Sequence, residues 1–286
     1  MKKAYVSIEE YLKITDFVII VLDARAPFSS ANNYLIKLFD NKAKLYILNK
    51  ADLADPLLLK EWSKYYSSNQ MSCITMNSKL FIKKNIEEKL LYLTKEKREK
   101  NLKRGIKNAL YKGMIVGVPN AGKSTILNLI GGKKRAETAN KPGVTRTVNW
   151  IKISKEYYLM DTPGILTPRF ENEAESIKLA LIGSVRQDIL PIDKIINYAY
   201  DFLKNFYVKE FASYLGCTDD LESVKNFKNE DISCMIAQKF IPLMHDGKLN
   251  LEQAKLKFLN DFRNGKIAKI CLDRIEEYVN RWGKIL

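Results

Sequence analysis

The stretch Gly117-Val118-Pro119-Asn120-Ala121-Gly122-Lys123-Ser124-Thr125 decides how this chain is read. It fits the spacing G-x-x-x-x-G-K-[ST], a glycine-rich loop whose backbone N–H groups cradle phosphates. Tyr111–Val116 before it reads as a buried strand, and Ile126-Leu127-Asn128-Leu129-Ile130 after it continues an apolar helix face. Strand, loop and helix together aim successive N–H groups into one concavity, at the positive end of the helix dipole. Asn120, Ala121, Gly122, Lys123, Ser124 and Thr125 are therefore predicted to hold a nucleoside triphosphate. Lys123 is expected to reach the outer phosphates, and the Ser124 hydroxyl to bind Mg²⁺.

Three further polar motifs stand where apolar runs end. Lys44–Leu48 runs into Asn49-Lys50-Ala51-Asp52, an N-K-x-D sequence. The Asp52 carboxylate can accept hydrogen bonds from guanine N1–H and the exocyclic amine. Adenine offers neither donor, so a carboxylate here discriminates strongly between the bases. Asn49 and the Lys50 stem are expected to hold the loop and cover the base. Cys73–Met76 ends at Asn77-Ser78-Lys79, where a G protein usually has S-A-K, and Asn77 and Ser78 are predicted to back the base. Glu156–Met160 ends in Asp161-Thr162-Pro163-Gly164. Asp161 is expected to reach Mg²⁺ through water, and the Gly164 N–H to bond the γ-phosphate. Thr145, in Pro142-Gly143-Val144-Thr145, is the candidate switch threonine that closes on Mg²⁺, with Thr147 as second candidate.

Phe17–Leu22 is wholly apolar, the pattern of a strand buried on both faces, and it ends in Asp23-Ala24-Arg25-Ala26-Pro27. Helices are predicted over 1–16, from Ser29 or Ser30 through Phe39, from Asp55-Pro56 through about Tyr66, and over 83–108. A further strand is predicted over Thr147–Ile153, after a polar glycine-bearing loop from Gly131 to Thr145. Strands alternating with helices predict an α/β fold with a mostly parallel sheet, whose ligands bind at the carboxyl ends of the strands. From about Glu173 the strand signal fades. Helices are predicted over 173–184, 193–206, 208–215, 231–245, 250–263 and 271–283, with Gly216, Gly247 and Gly265 as C-cap glycines. The expectation is a nucleotide-binding domain over 1–175 and an all-α domain over 176–286.

Lys and Arg number 48 against 33 Asp and Glu, a formal net charge of +15. That excess points to a polyanionic partner, nucleic acid before membrane. Lys95, Lys97, Arg98, Lys100, Lys103, Arg104 and Lys107 form one basic cluster; Lys133, Lys134, Arg135, Lys141, Arg146 and Lys152 form another near the nucleotide motifs. The bland reading of the first is a solvated helix face. No apolar run approaches a membrane span. Cys73, Cys217, Cys234 and Cys271 are too scattered for a disulfide framework or a zinc cluster and suit a reducing cytoplasm. His245 has no Cys or His near it and is read as a surface or helix-end residue.

Ordinary G proteins run phosphate loop, switch threonine, D-x-x-G, N-K-x-D, S-A-K. Here N-K-A-D and N-S-K come first, as in a chain cyclically rearranged around an unchanged site. The chain resembles the circularly permuted GTPases, most of all the ribosome biogenesis GTPase A family, through Asp23–Ser30, Asn49–Asp52, Gly117–Thr125, Pro142–Thr145 and Asp161–Leu166. Leu259–Lys266 is similar to that family's C-terminal helical segment. The resemblance implies a circularly permuted P-loop GTPase domain followed by an all-α, RNA- and ribosome-binding domain, in a cytoplasmic protein. It also implies a GTPase, slow alone and stimulated by the ribosome, that assists assembly of the large ribosomal subunit and binds its precursor and rRNA in the GTP state. GTP, GDP and Mg²⁺ are the expected ligands, and a monomer the favoured state. Asn120 matches the asparagine with which potassium-stimulated relatives hold K⁺, which makes it a candidate K⁺ ligand. Lys123 and Thr145 are the candidate catalytic residues, and the water-positioning residue is not identified, because hydrophobic Ile165 follows Gly164. Met1-Lys2-Lys3-Ala4 matches the end of the family's W-F-P-G-H-M-x-K-A-like opening, whose histidine would fall just before Met1; either the true start lies upstream or that group is lacking. The alternative reading is a nucleotide-gated RNA-binding switch with negligible hydrolysis, and a second rival is an ordinary phosphate-loop ATPase.

Overall fold

A computed structural model describes residues 10–31, 33–77, 81–131, 150–162, 172–185, 190–244 and 246–282. The chain runs β1 (Phe17–Asp23), α1 (Asn33–Leu38), β2 (Ala43–Asn49), a 3₁₀ turn (Ala51–Leu53), α2 (Pro56–Ser68), β3 (Ser72–Thr75), α3 (Lys83–Leu93), α4 (Lys95–Lys103), β4 (Tyr111–Gly117), α5 (Lys123–Gly131), β5 (Trp150–Lys152) and β6 (Tyr157–Asp161). Helices follow: α6 (Glu173–Leu181), α7 (Ile192–Phe206), α8 (Val208–Leu215), α9 (Leu221–Asn226), α10 (Asn229–Phe240), α11 (Leu251–Arg263) and α12 (Ile275–Trp282).

The six strands form one sheet in the order β3-β2-β1-β4-β6-β5. All neighbours are parallel except β5 and β6, which are antiparallel. β1 is buried at every residue because it lies between β2 and β4 with a layer on each face. Its side chains alternate as the two-residue period requires. Phe17, Ile19 and Val21 enter the core shared with α3, α5 and most of the C-terminal helices. Val18, Ile20 and Leu22 enter the other core, shared with α1 and α2. Cys271 and Tyr278, from the far end of the chain, complete that second core.

The extended segment before α12 therefore returns to the sheet. The Ile270 N–H donates to Leu53 O (3.2 Å), and the Leu272 N–H to Arg25 O (2.7 Å). Asp273 is fully buried and accepts from the Phe28 and Ser29 N–H groups (2.9 and 2.7 Å), the Ser29 hydroxyl (2.7 Å) and the Lys178 ammonium (3.1 Å). Burial alone would lower the Lys178 pKa; the Asp273 carboxylate beside it reverses the direction and holds it raised.

Several element boundaries differ from expectation for local reasons. The 83–108 helix is two helices, broken at Thr94, whose hydroxyl bonds Leu90 O and the Tyr157 hydroxyl, both at 2.7 Å. The 231–245 helix begins at Asn229 and ends at Phe240, because Pro242 disfavours helical backbone at Ile241. The 271–283 helix starts only at Ile275, its first residues being spent on the Arg25 and Asp273 bonds. Leu221–Asn226, unassigned from sequence, forms a helix capped by the Asp220 carboxylate on the Ser223 N–H. Gly216 and Gly265 follow helices in the left-handed region as expected, but Gly247 (φ +78°) sits in a Met244–Lys248 turn and caps no helix.

Candidate functional site

β4 delivers the phosphate loop and α5 leaves it, so the loop sits at the carboxyl edge of the central strands. Two glycines are required there by space. A Cβ on Gly117 would lie 2.4 Å from Val21 O, and one on Gly122 would lie 2.1 Å from the Asn49 side-chain nitrogen. Gly122 (φ +102°) and Asn120 (φ +58°) also take left-handed backbone, which glycine and asparagine tolerate. The Lys123 ammonium is buried and donates to Gly117 O and Val118 O, both at 3.0 Å.

The N-K-x-D motif meets this loop directly. The Asn49 amide donates to Ala121 O at 2.8 Å. Its Oδ1 is buried and accepts no hydrogen bond among the described residues. Lys50 takes left-handed backbone (φ 60°) and opens the 3₁₀ turn that carries Ala51 and Asp52. Backbone bonds stitch the neighbouring strand ends together: Ala24 N–H to Asn49 O (2.8 Å) and Ala51 N–H to Met76 O (3.1 Å). Asn77 follows Met76 and is half-buried. Asn49, Lys50, Asn120, Gly122, Lys123, Ser124 and Thr125 line one cavity of about 310 Å³. Asp52 is not among the residues lining it; it lies on the turn that begins at Lys50.

A charged hub sits behind the cavity. Asp23 is fully buried and receives the Arg25 guanidinium on both carboxylate oxygens (2.9 and 2.8 Å) and the Lys50 ammonium at 2.9 Å. Burial would raise the Asp23 pKa, but Arg25 and then Lys50 overcome it and hold the carboxyl at about 2. Arg25 donates onward to Ile182 O (3.2 Å) and Arg263 O (2.8 Å). Arg263 donates to Leu181 O (3.2 Å) and Ala180 O (2.6 Å), and the Asn120 amide donates to Gly183 O at 2.7 Å. Four consecutive carbonyls at the C-terminal end of α6 thus accept from the phosphate loop, the D-A-R sequence and α11. A helix end leaves such carbonyls without intrahelical partners and carries partial negative charge, so cationic and amide donors suit it. No role for Asp23, Arg25 or Arg263 was evident from sequence. The available signal was two charges flanked by Leu22, Ala24, Ala26 and Phe28, where burial demands a partner.

Ser78, Thr145, Thr147, Gly164 and His245 lie outside the described residues, as do Lys133, Lys134, Arg135, Lys141 and Arg146. Asp161 is the last residue of β6, next to β4 through its Ile115 pairing, and nothing is described of its side chain. Of the first basic cluster, Lys97 pairs with Asp16 and Arg98 with Glu156, while Lys95, Lys100, Lys103, Arg104 and Lys107 are exposed. Among the described residues no group of three or more His, Cys, Asp or Glu could hold a metal ion. No helix among them is long and apolar enough to cross a membrane.

Residues 112–205 match the family described as 50S ribosome-binding GTPase. Ribosome biogenesis GTPase A of Bacillus cereus is 34% identical over 282 residues, covering 97% of this chain and 93% of that protein. The probable ribosome biogenesis GTPase A of Mycoplasma pneumoniae is 30% identical, covering 96% and 93%. The crystal structure of GNP-bound YlqF from T. maritima superimposes with a TM-score of 0.68 at 26% identity, covering 95% of this chain and 98% of that one. Sheet, motif order and phosphate loop are those of a circularly permuted GTPase domain followed by a helical region. The chain belongs to the ribosome biogenesis GTPase A family.

Proposed function

We propose that this chain binds GTP and GDP in the cavity between Asn49 and Lys123, hydrolyses GTP to GDP and phosphate, and serves assembly of the large ribosomal subunit. Hydrolysis is slow alone and stimulated by the ribosome; in the GTP state the protein binds the subunit precursor and its rRNA. Catalysis and nucleotide binding are assigned to residues 1–175 and ribosome contact chiefly to 176–286, in a cytoplasmic monomer. The observation that supports this best is the Asn49–Ala121 bond, which sets a guanine-reading motif against a phosphate loop although they are far apart in sequence. The descriptions attached to the matching family and relatives support the ribosomal side.

The residues fit the ligands. The Gly122 cradle would be filled by any Cβ, and the buried Asn49 Oδ1 lies beside it. Asp52, Ala51, Asn77 and Ser78 are assigned to the base. The Lys50 stem covers it while Asp23 anchors the ammonium. Lys123, resting on two loop carbonyls, is assigned to the outer phosphates, where its charge offsets that of the transferring group. Bound Mg²⁺ would neutralise phosphate charge, with the Ser124 and Thr145 hydroxyls as its protein ligands and Asp161 acting through water. The Gly164 N–H is assigned to the γ-phosphate. Asn120 is the candidate K⁺ ligand through its amide oxygen, its nitrogen being engaged with Gly183 O.

Single-turnover hydrolysis of GTP, in K⁺ or Na⁺ and with or without large ribosomal subunits, tests the reading. Turnover that rises with subunits and vanishes in Lys123→Ala supports it. Tight GTP binding with no turnover under any of these conditions would favour a binding-only switch, and ATP displacing labelled GTP more tightly than GTP does would exclude a GTPase.

A further inference from the structure

A second concave surface lies wholly within the helical region. It is an open groove of about 730 Å³ bounded by α8, α10 and α11, with Lys209, Lys239, Lys257, Lys266, Tyr214 and Phe240 in its wall. It shares no lining residue with the nucleotide cavity.

Its floor is aromatic and braced. The rings of Tyr214 and Phe240 stack with centroids 5.0 Å apart and planes 27° apart. The Tyr214 hydroxyl donates to Asp261 Oδ2 at 3.1 Å, and Asp261 is itself buried. Ammonium groups ride on this floor: Lys257 lies 4.7 Å and Lys239 5.2 Å from the Phe240 centroid. The charges do not cancel. Lys257 and Lys266 share the single Asp261 carboxylate. Lys239 donates only to a neutral acceptor, Tyr214 O at 2.7 Å, and Lys209 is exposed and makes no ion pair among the described residues. Glu210 is the other acidic group in the wall, so lysines outnumber carboxylates there by four to two.

Unneutralised ammonium groups flanking a half-buried aromatic stack are the elements with which proteins hold single-stranded nucleic acid: cations track the phosphates while rings pack against ribose and base.

We propose that this groove binds a single-stranded RNA segment through its phosphodiester backbone, at a surface that shares no residue with the nucleotide cavity. The inference rests on the reading of the chain as an rRNA-binding factor and assigns that contact to named residues.

The test is fluorescence anisotropy of a short labelled oligouridine on the full chain, across a KCl series. The variants are Lys209→Ala/Lys239→Ala and Phe240→Ala, with Lys100→Ala/Lys103→Ala as an equal removal of exposed charge elsewhere. GDP binding serves as the check on folding. The groove pair is expected to lower affinity roughly tenfold and to reduce the slope of log affinity against log salt by ~1.4, at ~0.7 per lost phosphate contact on a single strand. Phe240→Ala is expected to lower affinity with the slope unchanged, and the α4 pair to change either by less than the groove pair. Equal losses from both lysine pairs would overturn the groove assignment and leave RNA binding itself standing. Competition by polyglutamate as effective as that by unlabelled RNA would overturn the partner class. Wild-type protein that binds no RNA, oligouridine or rRNA, would overturn the broader reading together with this one.

Discussion

The Asn49 side-chain nitrogen lies 2.8 Å from the Ala121 carbonyl oxygen and would lie 2.1 Å from any Cβ placed on Gly122. The strand end that carries N-K-A-D and the phosphate loop therefore interlock through one amide and one missing side chain. Gly122→Ala is expected to force the two apart and lower GDP affinity at least roughly a hundredfold, since clash and left-handed backbone act together. Asn49→Ala removes the tie without a clash. It should cost about 1–3 kcal/mol of stability by leaving the Ala121 carbonyl without that donor. Fluorescent-GDP titration and urea denaturation measure the two effects. Normal GDP affinity in Gly122→Ala would show that the interlock is irrelevant to binding.

Asp52 stands on the turn that begins at Lys50. Asp52→Asn is expected to exchange an acceptor pair for a donor and acceptor, and so to transfer preference from GTP to xanthosine triphosphate. Competition between the two nucleotides reads this out. Unchanged GTP selectivity would remove Asp52 from the base pocket.

Asp23 carries a pH signature. Its carboxyl is held at about 2 against an ordinary 3.8, so it stabilises the fold in full above pH 3.8. That contribution, about 2 kcal/mol, is lost as the pH falls towards 2. Asp23→Asn should flatten the acid limb of the stability curve in that window. It should also be strongly destabilising at neutral pH, by about 3–5 kcal/mol, because the Arg25 guanidinium stays buried without its anion. Urea midpoints measured from pH 2 to 7 decide it; an unaltered acid limb would place the titration elsewhere.

Arg263 holds two carbonyls of α6, Ala180 and Leu181, beside the Ile182 carbonyl that receives Arg25. Arg263→Ala should cost about 1–3 kcal/mol by stranding them. Arg263→Lys should recover only part of that loss, because a point charge cannot reproduce the two-pronged donation. Hydrogen exchange is expected to quicken over 173–185 in Arg263→Ala. Exchange there indistinguishable from wild type would mean that this helix end does not depend on Arg263.

What could be read in advance follows the range of the interactions. Phe17–Leu22 is apolar at every position, and a strand enclosed on both faces is the structure that composition permits. The N-K-A-D and phosphate-loop motifs each carry their own chemistry, so their meeting could be anticipated although the intervening chain is long. Helix ends set by distant groups could not. Thr94 breaks a helix by bonding Tyr157, 63 positions away, and Ile275 starts one late because the preceding residues pair with Arg25 and Ser29. The onward contacts of Arg25 were hidden for the same reason: it meets Arg263 across 238 positions, and no local pattern encodes that.

The place of β1 between β2 and β4 bears on how the protein is made. During translation β1, β2 and β3 emerge first and can pair, while the other edge of β1 waits for β4. At ~5–20 residues per second that wait lasts roughly ten seconds. Throughout it, a strand apolar from Phe17 to Leu22 offers unpaired backbone groups to any other nascent chain. Co-translational shielding of that edge, by the ribosome surface or a chaperone, would lower the risk of mispairing that this order of strands creates.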